Sequence, residues 1–243
     1  MLNRYFEDMQ KSLTKKKAAK TAPPSGKTEK KLAKNQVKTD RIEKKDVMDA
    51  FSKIVPAGLS VAEAVPVDEN GFAPEGADFL IFKSYCVDIV SIMEGYVPLE
   101  LIYASCYVVP TVDKKLLLEA LGRVVNVKKV RRYAAEDDEE EFRIPAFIVA
   151  GDGGDSIRDI KNDILNYYRN KNIDPDCEFD ILVILSKGLI IKNWREKTYI
   201  AIETMEDTLM WFFILMSEYI DVERRIEMNF RKYIKSEKNY TEY

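Results

Sequence analysis

Histidine is absent from all 243 residues. That gap excludes Ser-His-Asp and Cys-His catalysis, and any zinc site built on imidazole. Chemistry would have to come from carboxylates, Lys, Tyr, Ser or Cys, and carboxylates holding a hard cation are the natural remaining set. Cysteine is scarce: Cys86, Cys106 and Cys177 are the only three, none in a CxxC spacing. An odd count without a framework spacing leads us to expect a reducing, cytoplasmic setting. The N-terminus lacks the apolar run of a secretory signal. The densest hydrophobic stretch, Leu209 to Met216, covers about two helical turns against the roughly 20 residues a membrane span needs. It reads as a buried helix, and no membrane association is expected. No internal repeat is visible.

Hydrophobic residues make up 46% of the chain, enough for a sizeable core in one large domain. Charge is unevenly spread. Residues 1–38 hold ten Lys and one Arg against Glu7, Asp8 and Glu29, a net of +8, leaving −11 on the remainder of a chain whose total is −3. Blocks of like charge stay solvated and attract opposite charge. We therefore divide the chain into a basic arm, 1–38, and an α/β body, 39–243. Within the arm, Leu2, Tyr5, Phe6 and Met9 have helical spacing. The Lys-, Ala- and Thr-rich stretch from Lys15 to Lys34, with Pro23, Pro24 and Gly26, cannot bury enough surface to order itself. Lys11, Lys15, Lys16, Lys17, Lys20, Lys27, Lys30, Lys31 and Lys34 are the candidate phosphate contacts, with a solubilising role as the plainer reading. Interleaved aromatics, which would favour single-strand stacking, are missing between Lys11 and Lys38.

In the body, Asp40 precedes an apolar 3.6-residue period through Ile42, Val47, Ala50, Phe51 and Ile54, which predicts a helix ending before Pro56. Leu59 to Val67 reads as one strand and Asp68 to Gly71 as a turn. Residues 77–82 are a short apolar strand, residues 95–98 a break, and Leu99 to Val109 a strand stopped by Pro110. Asp113 caps the helix that carries Leu116, Leu117, Ala120, Leu121, Val124 and Val127. Glu136 to Glu141 is an acidic loop and Ile144 to Ala150 a strand. A helix with Ile157, Ile160, Ile164 and Tyr168 follows, then strands at 179–185, 189–191 and 199–202, and helices at 208–220 and 222–233. Strands alternating with helices predict a layered α/β sheet. Tyr233, Tyr240 and Tyr243 look like an end that docks on a partner.

The order of these segments carries a resemblance. It runs through Arg41-Ile42-Glu43, the turn Val67-Asp68-Glu69-Asn70-Gly71, the strand Asp78-Phe79-Leu80-Ile81-Phe82, and the run Val97 to Ala104. The helix 116–128, the strand 144–150 and the segment 180–190 complete it. Together, over about two-thirds of the chain, they resemble an uncharacterised prokaryotic and phage family, the DUF6602 group, whose core looks like the restriction-endonuclease, or PD-(D/E)xK, fold. The resemblance implies a mixed central sheet flanked by helices. It also implies a metal centre in which a helix Glu and a strand Asp meet the Glu of a Glu-x-Lys on the next strand. The carboxylates would hold Mg²⁺ and the Lys would position a water. Glu43 matches the helix Glu and Asp78 the strand Asp. Glu-x-Lys itself is missing: Tyr107 stands at the Glu position and Val109 at the Lys position. Tyrosine is a poor Mg²⁺ ligand and valine does no acid–base work. Glu100 does not substitute. Its odd offset from Tyr107 turns it to the other face, about 20 Å away along a continuous strand. Asp113 lies beyond Pro110.

The run Gly151-Asp152-Gly153-Gly154-Asp155-Ser156 before a helix could cradle a phosphate. It lacks the Lys-Ser/Thr of a P-loop, its acids repel anions, and a flexible loop with Asp155 or Ser156 as N-cap is the favoured reading. The expected function is therefore that of a catalytically inactive, nuclease-like interaction protein with no cofactor. It would bind a protein or nucleic acid through its surface and basic arm. Two alternatives stand: an active Mg²⁺-dependent nuclease using Glu43, Asp78 and a migrated carboxylate, or a phage-type structural or assembly protein. Asp78 and Tyr107 are expected on neighbouring strands.

Overall fold

The computed structural model describes residues 2–14, 41–68, 71–84, 90–91, 94–130 and 144–220. Its centre is a seven-stranded mixed sheet in the order β1-β3-β5-β6-β7-β8-β9. The strands are β1 (Leu59–Ala62), β3 (Phe79–Lys83), β5 (Ile102–Val109), β6 (Ala146–Ala150), β7 (Ile181–Ile184), β8 (Gly188–Asn193) and β9 (Thr198–Glu203). β1, β3 and β5 form an antiparallel meander. β5, β6 and β7 run parallel, and β7, β8 and β9 return to antiparallel pairing. The parallel strands lie in the middle, covered on both faces. This explains why β6 (Ala146-Phe147-Ile148-Val149-Ala150) is an unbroken apolar run rather than an alternating one.

Two helices make the crossovers between the parallel strands. Helix α3 (Lys114–Val127) links β5 to β6, and α4 (Ile157–Lys171) links β6 to β7. Both are capped as their sequences require. Asp113 accepts a hydrogen bond from Leu116 N at 2.9 Å, and Ser156 accepts one from Asp159 N at 3.1 Å. α4 ends on Asn172 in the left-handed region. Together α3 and α4 cover the face that presents Tyr107, Val109, Ile148, Leu182, Ile190 and Tyr199. The opposite face presents Phe79, Ile81, Ala104, Cys106, Val108, Phe147 and Val183. It is covered by α2 (Lys44–Ile54) and α5 (Thr208–Tyr219).

Several expectations need correction. The 1–38 arm does not begin at residue 1: α1 (Leu2–Thr14) is a helix packed on the body, with Phe6, Gln10 and Leu13 buried. Phe6 stacks near Phe213 of α5, ring centroids 5.0 Å apart. The buried Gln10 side chain donates to Met205 O (3.1 Å) and Glu206 O (3.4 Å), and accepts from Leu209 N (3.1 Å). It thus caps the first turn of α5. The lysine-rich stretch from Lys15 to Lys34 lies outside the described residues, as do the acidic loop 136–141, the helix expected at 222–233 and the tyrosines beyond it. The strand expected over 59–67 is two strands, because β2 (Val65–Val67) leaves the main sheet and pairs in parallel with β4 (Tyr96–Pro98). Tyr96–Pro98 are therefore a strand, and the break is confined to the turn at Gly95. The start of the 99–109 run is a 3-10 turn, Leu99–Leu101. Among the described residues, no helix is long and apolar enough to cross a membrane.

Candidate functional site

The four positions implied by the nuclease resemblance can now be placed. Asp78 immediately precedes β3, and its N–H donates to Cys106 O on β5 at 2.8 Å. With Phe79 opposite Cys106, Asp78 lies beside Tyr107 on the neighbouring strand. Its carboxylate is held through one oxygen. Oδ2 accepts from Val108 N at 2.7 Å and from Arg123 Nη1 at 2.9 Å. Arg123 comes from α3 and also donates to Gly76 O at 3.1 Å. Its guanidinium carbon stands 5.6 Å from the centre of the Tyr107 ring. A charge-assisted bond, a backbone bond and a cation–π contact thus share one small space.

Tyr107 is fully buried, and its hydroxyl donates to Ser105 Oγ at 3.4 Å. Burial pushes its phenol well above the ordinary range, so it stays neutral. Val109 is packed in the apolar layer with α3 and α4. Glu43 is the exposed N-cap residue of α2, whose buried residues pack on the opposite face of the sheet. The fold brings Asp78 and Tyr107 together; Glu43 follows Ile42, whose N–H donates to Pro110 O just beyond β5 at 2.8 Å. Behind Asp78, the Cys106 thiol is driven up by burial and by the Asp78 charge, which makes it an inert core group.

This set does not suit a divalent cation. It offers one carboxylate already neutralised by a guanidinium, a buried neutral phenol and an apolar side chain, whereas Mg²⁺ takes oxygen donors in near-octahedral geometry. Among the described residues no three Asp, Glu or Cys side chains converge as a metal site. What the arrangement does chemically is lock β3, β5 and α3 together.

Sequence reasoning missed a second cluster, at the other end of the same layer. Asp180 accepts from Lys128 Nζ at 2.6 Å, Ala146 N at 2.7 Å and Trp194 Nε1 at 3.2 Å. Glu178 accepts from Lys192 Nζ and from the Tyr199 hydroxyl, the latter at 2.8 Å. Lys192 lies 5.4 Å and 4.9 Å from the Trp194 and Tyr199 ring centres. All four charged groups are buried, two of each sign. Burial, then the neighbouring Tyr168 and Glu178, drive the Tyr199 phenol far up. Since each carboxylate is satisfied and enclosed, the cluster ties α3, β6, β7, β8 and β9 together rather than meeting a substrate. A signal existed in the sequence: Lys192 sits at an inward position of an alternating strand.

The 151–156 loop is close-packed at Gly153 and exposed over residues 154–156. A Cβ on Gly153 would stand 1.5 Å from Val112 O. Lys187 pairs with Asp152 at 2.5 Å and donates to Asp155 O. Ser156, not Asp155, is the N-cap. Of the nine candidate phosphate-binding lysines, Lys11 is on α1, paired with Glu7 at 3.5 Å. The other eight lie outside the described residues.

Comparison with known proteins places this fold. No protein-family model matches the chain, and no curated protein matches it. Solved structures do. NucC from E. coli MS115-1 in its cAAA-bound form superposes with a TM-score of 0.61 at 14% identity, covering 97% of this chain and 98% of that one. NucC from P. aeruginosa ATCC27853, also cAAA-bound, gives 0.60 at 18% identity over 91% and 93%. The apo form of the E. coli protein gives 0.58 at 16% over 79% and 90%. The chain has a restriction-endonuclease-like fold, a mixed sheet flanked by helices. The likeness extends to the fold and not to the uncharacterised family named above, which no match supports.

Proposed function

We propose that this protein is a binding protein on a nuclease scaffold, its hydrolytic centre replaced by packing. One observation carries the reading: the Asp78 carboxylate is paired with Arg123 and Val108 N–H, beside the buried ring of Tyr107. A guanidinium already supplies the positive charge that a metal would bring to that carboxylate, and among the described residues no group of three acids or cysteines converges to hold an ion. Without a bound cation and a positioned Lys, the charge developing on an attacked phosphate has no stabiliser. The alternative, an active nuclease with a migrated ligand, finds no convergent carboxylates among the described residues.

The test is cleavage of plasmid DNA and of RNA by the full chain in Mg²⁺ or Mn²⁺. No cleavage is expected. Cleavage abolished by Asp78→Ala would overturn the proposal. The partner is read from charge: a −11 body disfavours broad contact with nucleic acid outside residues 1–38, which leaves the lysines as the nucleic-acid surface and the body as the protein surface. Binding to duplex DNA through those lysines would weaken with salt at a log–log slope of about −0.9 per phosphate contact. Because two NucC neighbours are described as cAAA-bound, cAAA is the first small ligand to try by calorimetry.

A further inference from the structure

The small sheet of β2 and β4 turns one face inward and leaves the other uncovered among the described residues. Its parallel register sets Val65 beside Tyr96, Pro66 beside Val97 and Val67 beside Pro98. Paired residues point the same way, and successive residues of a strand point oppositely. Pro66 and Val97 are buried, Val97 in one apolar cluster with Leu80, Phe82 and Ile102 of the main sheet. The outer face is therefore Val65, Val67 and Pro98, all half-buried, with Tyr96 42% exposed. Phe72, 45% exposed, stands just past the end of β2, where Asp68 fixes its backbone. Phe72 N–H donates to Asp68 Oδ1 at 2.8 Å, and Asp68 N–H donates to Phe72 O at 3.1 Å. Two aromatic rings presented to water on a rigid apolar unit are the kind of patch that partners cover.

Charge decides the partner. Between Lys53 and Lys114 the sequence holds nine acids and one cation, Lys83. From elsewhere in the chain, Lys44 reaches Glu63 at 2.7 Å and Arg123 takes Asp78. Glu94, two residues before Tyr96, and Glu75, three after Phe72, are exposed and have no ion-pair partner among the described residues. An anionic partner would be repelled here, and a purely apolar one would desolvate acids without pairing them. We propose that this face docks a Lys- and Arg-rich polypeptide segment of a partner protein. Its apolar side chains lie on Val65, Val67 and Pro98, and its cations lie over the Tyr96 and Phe72 rings and beside Glu94 and Glu75. The proposal rests on the reading of the body as a protein-binding surface, and it names the chemistry of the partner.

The probe is a short fluorescent peptide of alternating Lys and Leu, titrated by anisotropy against the full chain. The same peptide with Glu in place of Lys is the control. The Lys peptide should bind and weaken with added salt, and the Glu peptide should not bind. Tyr96→Ser and Phe72→Ser should each weaken binding about threefold. Both changes leave the protein's charge as it was, so general attraction to an acidic body would not respond to them. Both side chains are exposed, and circular dichroism checks that the fold is kept. Glu94→Lys should weaken binding further, by about tenfold, through repulsion. A Lys peptide that does not bind, a Glu peptide that binds as well, or affinity unchanged by the two serine variants would each overturn the proposal. DNA cleavage by the full chain would instead overturn the reading of the Asp78 site and leave the peptide result standing.

Discussion

At the scale of single residues, Arg123 decides the character of the candidate site. It is half-exposed at its own end, yet it satisfies an Asp78 carboxylate that the chain has turned inward. Removing one partner of such a pair costs more than the pair contributes, because the other charge is left desolvated. Arg123→Ala is expected to lower unfolding stability by about 1–3 kcal/mol, measured as a shift of the urea midpoint. Asp78→Asn added to it should recover part of the loss, since the stranded charge is gone; strictly additive losses would show that the two side chains do not interact. That Asp78 and Tyr107 lie on neighbouring strands was an implication of the nuclease resemblance, and the pairing of Phe79 with Cys106 agrees with it. The sequence could not identify Arg123, whose place in a long helix pattern says nothing about the strand end beneath it.

At the scale of elements, the helix boundaries were legible where a cap announces them, at Asp113 and Ser156, because a cap is a local hydrogen bond. The split of residues 59–67 into β1 and β2 was not. Alternation runs through both strands, and only the arrival of β4 beside Val65 to Val67 separates them. Helix α1 shows the same limit. Its helical spacing was visible, while its attachment depends on Gln10 meeting a helix end some two hundred positions away. Gln10→Ala removes three hydrogen bonds and leaves the Leu209 N–H without its acceptor. We expect a loss of about 1–3 kcal/mol, together with faster amide exchange across residues 2–14 than across β6. Unchanged exchange in α1 would mean that the apolar contact of Phe6 alone holds the helix.

At the scale of the whole molecule, both layers bury groups that resist ionisation. Cys106 lies in one, and Tyr107, Tyr168 and Tyr199 lie in the other, each pushed up chiefly by burial. Such groups hold their protons more tightly folded than unfolded. Their contribution to stability is complete at neutral pH and is lost as pH rises beyond the unfolded values, near 8.5 for the thiol and about 10 for the phenols. Urea midpoints should therefore be level near neutrality, fall gently above about pH 8.5 and steeply above about pH 10, with tyrosinate absorbance appearing together with unfolding. A midpoint unchanged to pH 11 would contradict the burial of these side chains.

The sequence by itself determined the absence of imidazole chemistry, the alternation of strands and helices and the buried character of the central strands. These follow from composition, period and spacing, which are properties of neighbouring residues. Only the tertiary structure decided that Arg123 closes the space beside Asp78, that two Lys–carboxylate pairs lie buried behind β7 and β8, and that α1 belongs to the body. Each depends on a contact between segments far apart in the chain, and no local pattern encodes which distant side chain will complete a charge.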